Sequence, residues 1–464
     1  MERSKPEAGV ASPNLVLAIA AIGVVLATLD LFIVSLALPS IGRDFGGASL
    51  NDLSWIMNGY AITYAALLVF MGRLAERYRR DRSYLAGLAL FILASAGCAV
   101  ANGVWILVAF RVVQAAGAAL MTPTSLALVL AAFEPALRSR AARIWTAIGG
   151  FAGAFGPVIG GILLVFGWQW IFIVNVPIGL IALVAGWKAL PAIEGHDVPR
   201  PDALGALMVT LGSALLIFGF ISAGDSGWSQ PRAWGGVVAG LVLMAAFGLH
   251  CIRARNPLLE PALFQNRGFA SAAIGLAPFM VAFGAFLLSF VLFQQQVWEW
   301  SALKTGLTLA PGPFLVPLTS MFVAGRLIDR FGAPRVIVLG LSVFAAATLI
   351  MVIGFSLSPS LPLALAAAMV SGVGVGLTLP TMMGAGAGAL PPSSFATGSA
   401  ALNMIRQLGM ALGIAALVGI LGEPSDPAAA LSAFRLCWWF VLACTGLGIV
   451  PTMLIRQVRD VASQ

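Results

Sequence analysis

Apolar residues along this chain come in long unbroken runs, each closed by charges or by clusters of Gly and Pro. Crossing a bilayer takes about 20 helical residues, and fourteen runs reach roughly that length. They lie near 15–38, 53–71, 83–101, 104–131, 141–166, 170–190 and 203–223, then near 234–251, 269–293, 302–323, 336–355, 361–383, 396–421 and 431–455. Continuous apolarity of this length predicts helices, because a membrane barrel would show short alternating segments instead. The connections are all under about twenty residues, too short for an appended catalytic domain. The expected fold class is all-α integral membrane, and no enzyme is expected. The first run is too long for a signal-peptide core. Both signs of charge precede it and no small-residue cleavage site comes before Asp30, so it is read as a retained helix.

Asp30 is the one carboxylate deep inside a run. An acid near the middle of a span costs roughly 2.5–3.5 kcal/mol on insertion scales, so it is seldom there without a role. A proton or cation site is the first reading; an acid that only pairs to a neighbouring helix is the alternative. Arg111 lies at a depth that would let it pair with Asp30 if spans 1 and 4 are neighbours. Asp30 lies eight residues before the outer end of span 1, and Arg111 about seven after the outer start of span 4. At 1.5 Å per residue both sit roughly 10–12 Å below the outer boundary. Burial raises the pKa of a carboxylate and a nearby Arg lowers it, so making and breaking such a pair is in principle a proton switch. A fixed structural cation is the other reading of Arg111.

Composition agrees: 60% of residues are apolar and 9% charged, against about 25% charged in a soluble domain, and mean hydropathy is +0.98. The net charge of +8 is a topology signal. With both termini cytoplasmic, Arg43, Arg232, Lys304 and Arg435 fall outside and Arg111 and Arg406 within spans, leaving 20 of the 26 Lys and Arg on the cytoplasmic side. That is the positive-inside pattern, and nucleic-acid binding is a poor reading of it. The Arg73–Arg82 cluster is placed to touch anionic lipid. The four Cys all lie in spans and are assigned to packing. His196 and His250, near cytoplasmic span ends, are read as solvated, and with them no metal site is assembled.

Two echoes divide the chain. Gly72-Arg-Leu-Ala-Glu-Arg-Tyr-Arg-Arg-Asp-Arg82 after span 2 returns as Gly325-Arg-Leu-Ile-Asp-Arg-Phe-Gly-Ala-Pro-Arg335 after span 10. Gly117-Ala-Ala-Leu-Met-Thr-Pro-Thr124 in span 4 returns as Gly374-Val-Gly-Leu-Thr-Leu-Pro-Thr381 in span 12. Echoes eight spans apart imply two homologous six-helix halves with two additional helices between them. The expected division is 1–190 for the N-terminal half, 191–268 for the two linker helices and their connections, and 269–464 for the C-terminal half.

At this point the chain resembles the fourteen-span drug:proton antiporters of the major facilitator superfamily. Leu29-Asp-Leu-Phe-Ile-Val-Ser-Leu-Ala-Leu-Pro39 is similar to that family's first-span motif, and the two Gly-Arg-Leu segments to its conserved loop and the loop's copy. Arg111-Val-Val-Gln-Ala-Ala-Gly117 is similar to the fourth-span motif. Gly156-Pro-Val-Ile-Gly-Gly161 and Trp168-Gln-Trp170 are similar to the antiporter motif and its sequel, and Thr397 to Gly409 to the span 13 signature. The chain departs from the family pattern at Glu76 (usually Asp), Arg79 (usually Gly) and Gln169 (usually Arg). The resemblance implies conformational roles for Gly72, Glu76, Arg77, Gly325, Asp329 and Arg330. The second copy, with Asp329 and Gly332, is expected to carry more of that duty.

Gly149, Gly153, Gly156 and Gly160 repeat at four, three and four residues and make a side-chain-free stripe on span 5, which Pro157 is placed to kink. Tight packing alone would give the same spacing. The resemblance implies that this stripe, with Gly161, lies between the halves, and Pro311, Gly312, Pro313 and Pro317 give span 10 the bendable character of an opposing helix. Polar residues inside spans are the expected cavity groups: Asn58, Tyr64, Gln114, Asn403, Arg406 and Gln407. Glu299, between Trp298 and Trp300, is read as an aromatic-belt position or an outer-vestibule acid. The expected function is proton-coupled export of small amphipathic compounds across a bacterial cytoplasmic membrane by a monomer, driven by the proton gradient with no cofactor. Its partners are substrate, protons and membrane lipids. A lipid or lipid-linked amphiphile transporter and a proton-coupled nutrient importer are the alternatives. With one deep carboxylate, neutral or monocationic substrates are expected over dications.

Overall fold

The computed structural model describes residues 12–197, 199–391, 394–422 and 424–453. Fourteen of its helices are long and apolar enough to cross a membrane. They are α1 (Pro13–Asp44), α2 (Leu50–Arg77), α3 (Arg80–Ala99), α4 (Val104–Ala132), α5 (Pro135–Leu163), α6 (Trp170–Ala189) and α7 (Ala203–Gly224). The rest are α8 (Pro231–Arg253), α9 (Arg267–Val297), α10 (Ala302–Phe331), α11 (Ala333–Gly354), α12 (Leu361–Gly388), α13 (Thr397–Leu421) and α14 (Pro427–Met453). The connections alternate between two ends of the bundle. One end carries the Arg-rich segments and is called the basic end below; the other is the far end.

Several helices outrun their apolar runs. Gly72, Glu76 and Arg77, read as a loop, form the last turns of α2, and only Tyr78 and Arg79 separate α2 from α3. Gly325, Asp329 and Arg330 likewise belong to the last turns of α10, which stops at Gly332 with φ 82°. Helical hydrogen bonds do not end where a bilayer does, and a glycine in the left-handed region is a ready helix stop. α10 also carries a π-turn at Ser320–Ala324, just after Pro317 removes a backbone donor.

The internal echo has a structural counterpart. A Cβ on Gly87 of α3 would stand 2.9 Å from the Gly117 carbonyl oxygen of α4, and a Cβ on Gly340 of α11 would stand 2.9 Å from that of Gly374 of α12. The repeated glycines thus let the third and fourth helices of each half meet backbone to backbone. The C-terminal half has an aromatic core in which Phe293 packs on Phe355, Phe434 and Trp438. Trp298 and Trp300 join it, only 4% and 8% exposed, and the Trp298 indole donates to the Ser356 carbonyl at 2.7 Å. They are core residues and do not form a membrane-interface belt. The turn that folds them inward holds exposed Glu299 at φ 53°.

α7 and α8 form a hairpin beside the two halves. Ala61 and Ile62 of α2, Ile217 and Ile221 of α7, and Ala411 and Ala415 of α13 share one buried cluster, so α7 covers the seam where α2 meets α13. Asp202 anchors this hairpin. Its carboxylate accepts from Gly205 N at 2.8 Å, Leu258 N at 3.0 Å and His250 Nε2 at 3.0 Å. His250 is therefore paired instead of freely solvated. Burial pulls the Asp202 pKa up, but the bonds from Gly205, His250 and Leu258 outweigh it and hold the carboxyl below its ordinary value.

A folded-state pKa below the unfolded one contributes stability at neutral pH that is lost as pH falls through the folded value. Asp202→Ala should therefore lower the thermal midpoint of the purified protein at pH 7, by an amount matching a lost N-cap of about 0.5–2 kcal/mol. The gap from the parent should narrow as the buffer is taken below pH 4, and a gap that stays constant would contradict this role.

Candidate functional site

Five helices of the N-terminal half converge on one buried polar cluster. Asp30 of α1 and Arg111 of α4 are only 2% and 1% exposed, and the Arg111 Nη1 donates directly to Asp30 Oδ2. Gln114, one helical turn after Arg111 and on the same face, closes the pair into a ring. Its Oε1 accepts from Arg111 Nη1 at 2.6 Å while its Nε2 donates to Asp30 Oδ1 at 3.1 Å. The same Nε2 reaches Ser95 Oγ of α3 at 2.8 Å, and Asn175 Nδ2 of α6 reaches Ser95 Oγ at 3.4 Å. Arg111 Nε donates to the Ile56 carbonyl of α2 at 3.2 Å, and its guanidinium lies 4.2 Å from the centre of the Tyr60 ring. Each oxygen of the carboxylate thus accepts one hydrogen bond from a side chain that other contacts hold in place.

Ser95, Asn175 and Tyr60 were not singled out by sequence. Serines, asparagines and tyrosines inside spans are ordinary helix-packing residues, and nothing in their spacing marks these three. Gln114, expected on the cavity wall, belongs to this cluster instead, because the face of α4 that bears Arg111 turns toward α1 and α3.

A cavity of about 1090 Å³ runs between the two halves. It reaches exposed Glu76 and Arg138 at the basic end, so it opens there. Tyr64, Asn403, Arg406 and Gln407 line it as expected from sequence, but Asp30, Arg111, Gln114 and Asn58 do not. Tyr60 does, and its ring stands between Arg111 and the cavity, parallel to Tyr64 at 6.0 Å between centres. Asn58 is fully buried with neither amide atom bonded. It shares the face of α2 that carries Ala61, Ile62 and Ala65 toward α7 and α13.

At the far end the halves close on each other. A Cβ on Gly161 of α5 would stand 2.9 Å from Leu303 Cα of α10, and one on Gly306 of α10 would collide with the Pro157 carbonyl. Gln295 Nε2 of α9 donates across to the Leu36 carbonyl of α1 at 3.2 Å. The stripe expected between the halves has a different partner. Added Cβ atoms at Gly149, Gly153, Gly156 and Gly160 would meet Val24, Phe32, Phe32 and Ile33, all on α1. Gly161 and Pro157 face α10 instead, on the side of α5 where Gly150 looks toward Pro317 and the Phe155 ring meets that of Phe314, because residues one apart on a helix point about 100° away from each other. The stripe therefore seats α5 on the helix that carries Asp30.

The two conformational motifs are unequally engaged. Arg73 Nη2 of the first copy pairs with Glu260 Oε1 at 2.8 Å, and the connection after α6 lies on its end, with His196 N donating to the Glu76 carbonyl at 2.8 Å. In the second copy Asp329 and Arg330 are exposed, and Arg330 stands 5.2 Å over Phe331. In this conformation the first copy, despite its departures, is the one with contacts to neighbouring elements.

A family model of the Major Facilitator Superfamily matches residues 20–312 and 272–463. The chain is 32% identical over 417 residues to a methylenomycin A resistance protein of Bacillus subtilis, covering 88% of this chain and 87% of that one. A methylenomycin A resistance protein of Streptomyces coelicolor is 33% identical over 412 residues, 88% of this chain and 85% of its own length. Among solved structures, an auto-inhibited POT family peptide transporter superposes with a TM-score of 0.71 at 14% identity, over 97% of both chains.

Gly161→Leu should force α10 directly away from α5 and open the far end, whereas Gly156→Leu should push on Phe32 of α1 and disturb the far end much less. In a background lacking the native cysteines, Leu309→Cys on the cavity wall reads this out. An impermeant maleimide applied from the far side should label it at least tenfold faster with Gly161→Leu than with Gly156→Leu. Equal rates would contradict the assignment of the two faces.

Proposed function

The chain belongs to the Major Facilitator Superfamily and to its drug:proton antiporters, and from that membership and the cavity described above we propose that it exports small amphipathic compounds in exchange for protons. It is a membrane transporter and not an enzyme. The observation that carries the coupling is the Asp30–Arg111 pair, buried beside the central cavity but walled from it by Tyr60. Placing the basic end in the cytoplasm, as the Arg distribution favours, makes this conformation inward-open, able to accept a compound from the cytoplasm or inner leaflet. Rocking of the halves then opens the far end and closes the basic end.

The proton enters this cycle at Asp30. In this conformation Arg111 and Gln114 both donate to its carboxylate. Movement of α1 relative to α4 would strip those donors away and leave a carboxylate in a medium of low dielectric, which is resolved by binding a proton. α5 ties that event to the gate, because its glycine stripe grips α1 while Gly161 and Pro157 close on α10. Protonation then biases which end is open, and no cofactor is required. The energies suffice: one proton crossing 100 mV supplies about 2.3 kcal/mol, and each tenfold gradient of a neutral compound costs about 1.4 kcal/mol.

The relatives named above are resistance proteins, which supports outward transport of a toxic compound over nutrient uptake. Lipid movement by the same fold would show itself as transport that depends on bilayer composition.

Asp30→Asn keeps the size and hydrogen-bonding shape of the side chain but removes its titration. In proteoliposomes with an imposed pH difference, the variant should lose concentrative transport of a compound the parent concentrates, falling at least tenfold toward passive leak. It should still elute as a monodisperse protein. Undiminished accumulation against a gradient by Asp30→Asn would contradict the coupling role.

A further inference from the structure

The polar groups of the cavity wall are one-sided. Among the described residues one carboxylate lines it, Glu76, and that one is exposed at the basic-end mouth. Asp30 is out of reach behind Tyr60 and already committed to Arg111. Arg406, by contrast, reaches the wall from α13 with no ion-pair partner among the described residues and with its buried Nε unbonded. Three more buried polar atoms on the same wall lack partners: Gln407 Nε2, Tyr60 Oη and Trp145 Nε1. All four are hydrogen-bond donors, and Arg Nε and Trp Nε1 can do nothing else. A wall with a buried cation, unused donors and no deep acid is poorly matched to a cationic guest, since it adds repulsion and leaves the donors unmet. It is well matched to an acceptor group bearing negative charge, for which Arg is the preferred cation. Apolar side chains such as Leu31, Phe32, Phe283 and Phe286 make up the surroundings.

We propose that the cavity is a site for amphipathic organic anions, with a carboxylate or similar acidic group seated on Arg406 and the apolar body against the phenylalanine-lined wall. The assignment deepens the transport reading above and rests on it for the claim that the anion is moved as well as bound. It also reverses the charge preference expected from sequence, where Asp30 was counted as the neutralising group. Exchange of a monoanion for an incoming proton moves two charges in the same electrical sense, whereas exchange of a monocation for a proton moves none.

A matched series of dansyl probes tests this: one fluorophore bearing a carboxylate, its methyl ester, and an ammonium derivative. With the detergent-purified protein, the acid should bind at least tenfold tighter than the ester or the ammonium. Arg406→Gln should weaken acid binding at least tenfold while ester binding is retained, which also shows that the variant is folded, and Arg406→Lys should recover part of the loss. In vesicles, a potassium–valinomycin potential should accelerate acid-for-proton exchange and leave any ammonium exchange unaffected. Titration with phosphatidylglycerol and phosphatidylcholine separates the sources. Competition by the first alone identifies the anion as a lipid headgroup, and competition by neither identifies a free acid; the anion site stands in both cases. Preference for the ammonium, or an unchanged order in Arg406→Gln, would overturn the proposal. Proton-driven transport of the ammonium alone would leave the transport reading intact and refute the anion site. Tight acid binding without proton-driven movement of any probe would do the reverse.

Discussion

A carboxylate and a guanidinium buried together in the middle of a helical bundle set the terms for the rest of this molecule. Either group alone at that depth is costly, and the pair is tolerable only if its remaining donors and acceptors are met. Gln114, Ser95, Asn175 and the Ile56 carbonyl meet them, and in doing so they fix the mutual positions of α1, α2, α3, α4 and α6. Those five helices are therefore tied together for as long as the pair holds. A change in the charge of Asp30 is a change in what ties them.

α5 is the helix of the N-terminal half that the polar cluster leaves out, and it is the one placed to transmit the change. One face, free of side chains, lies against α1 from Val24 to Ile33. The adjacent face closes on α10 at the far end. Displacement of α1 therefore presses on α5 through Val24, Phe32 and Ile33, which sit directly on its glycine backbone. On the other seam, the α7–α8 hairpin joins α2 and α13 through aliphatic side chains. The two seams differ in kind: one backbone on backbone, the other cushioned.

Much of this was legible in the chain itself. Fourteen runs, a two-half repeat and a lone deep acid are strong signals, because a bilayer tolerates few alternatives to the apolar helix and penalises each buried charge. The matched depth of Asp30 and Arg111 could be read from the chain, and their pairing followed once the resemblance placed spans 1 and 4 side by side. Which face a residue turns to was not legible. Gln114 and Asn58 are polar residues inside spans like Tyr64 and Gln407, yet the first completes the ion-pair cluster and the second is buried on a helix seam. Gly160 and Gly161 are neighbours in sequence and face different helices. Rotation about a helix axis is set by packing against neighbours, and in a helix apolar on every side the sequence carries little record of it. The tryptophans around Glu299 failed for a related reason, since an aromatic at a span end serves a membrane interface or a protein core equally well.

The central claim is that Asp30 changes its protonation state during the transport cycle because its contact with Arg111 is made and broken. Proton exchange with weakly buffered solvent, recorded as a transported compound is added to the purified protein, tests it most directly. The account predicts proton exchange approaching one per site in the parent protein at a pH where the coupled cycle runs, and none in Asp30→Asn at equal site occupancy. The same proton signal in both proteins would contradict it and would place the coupling proton on another residue.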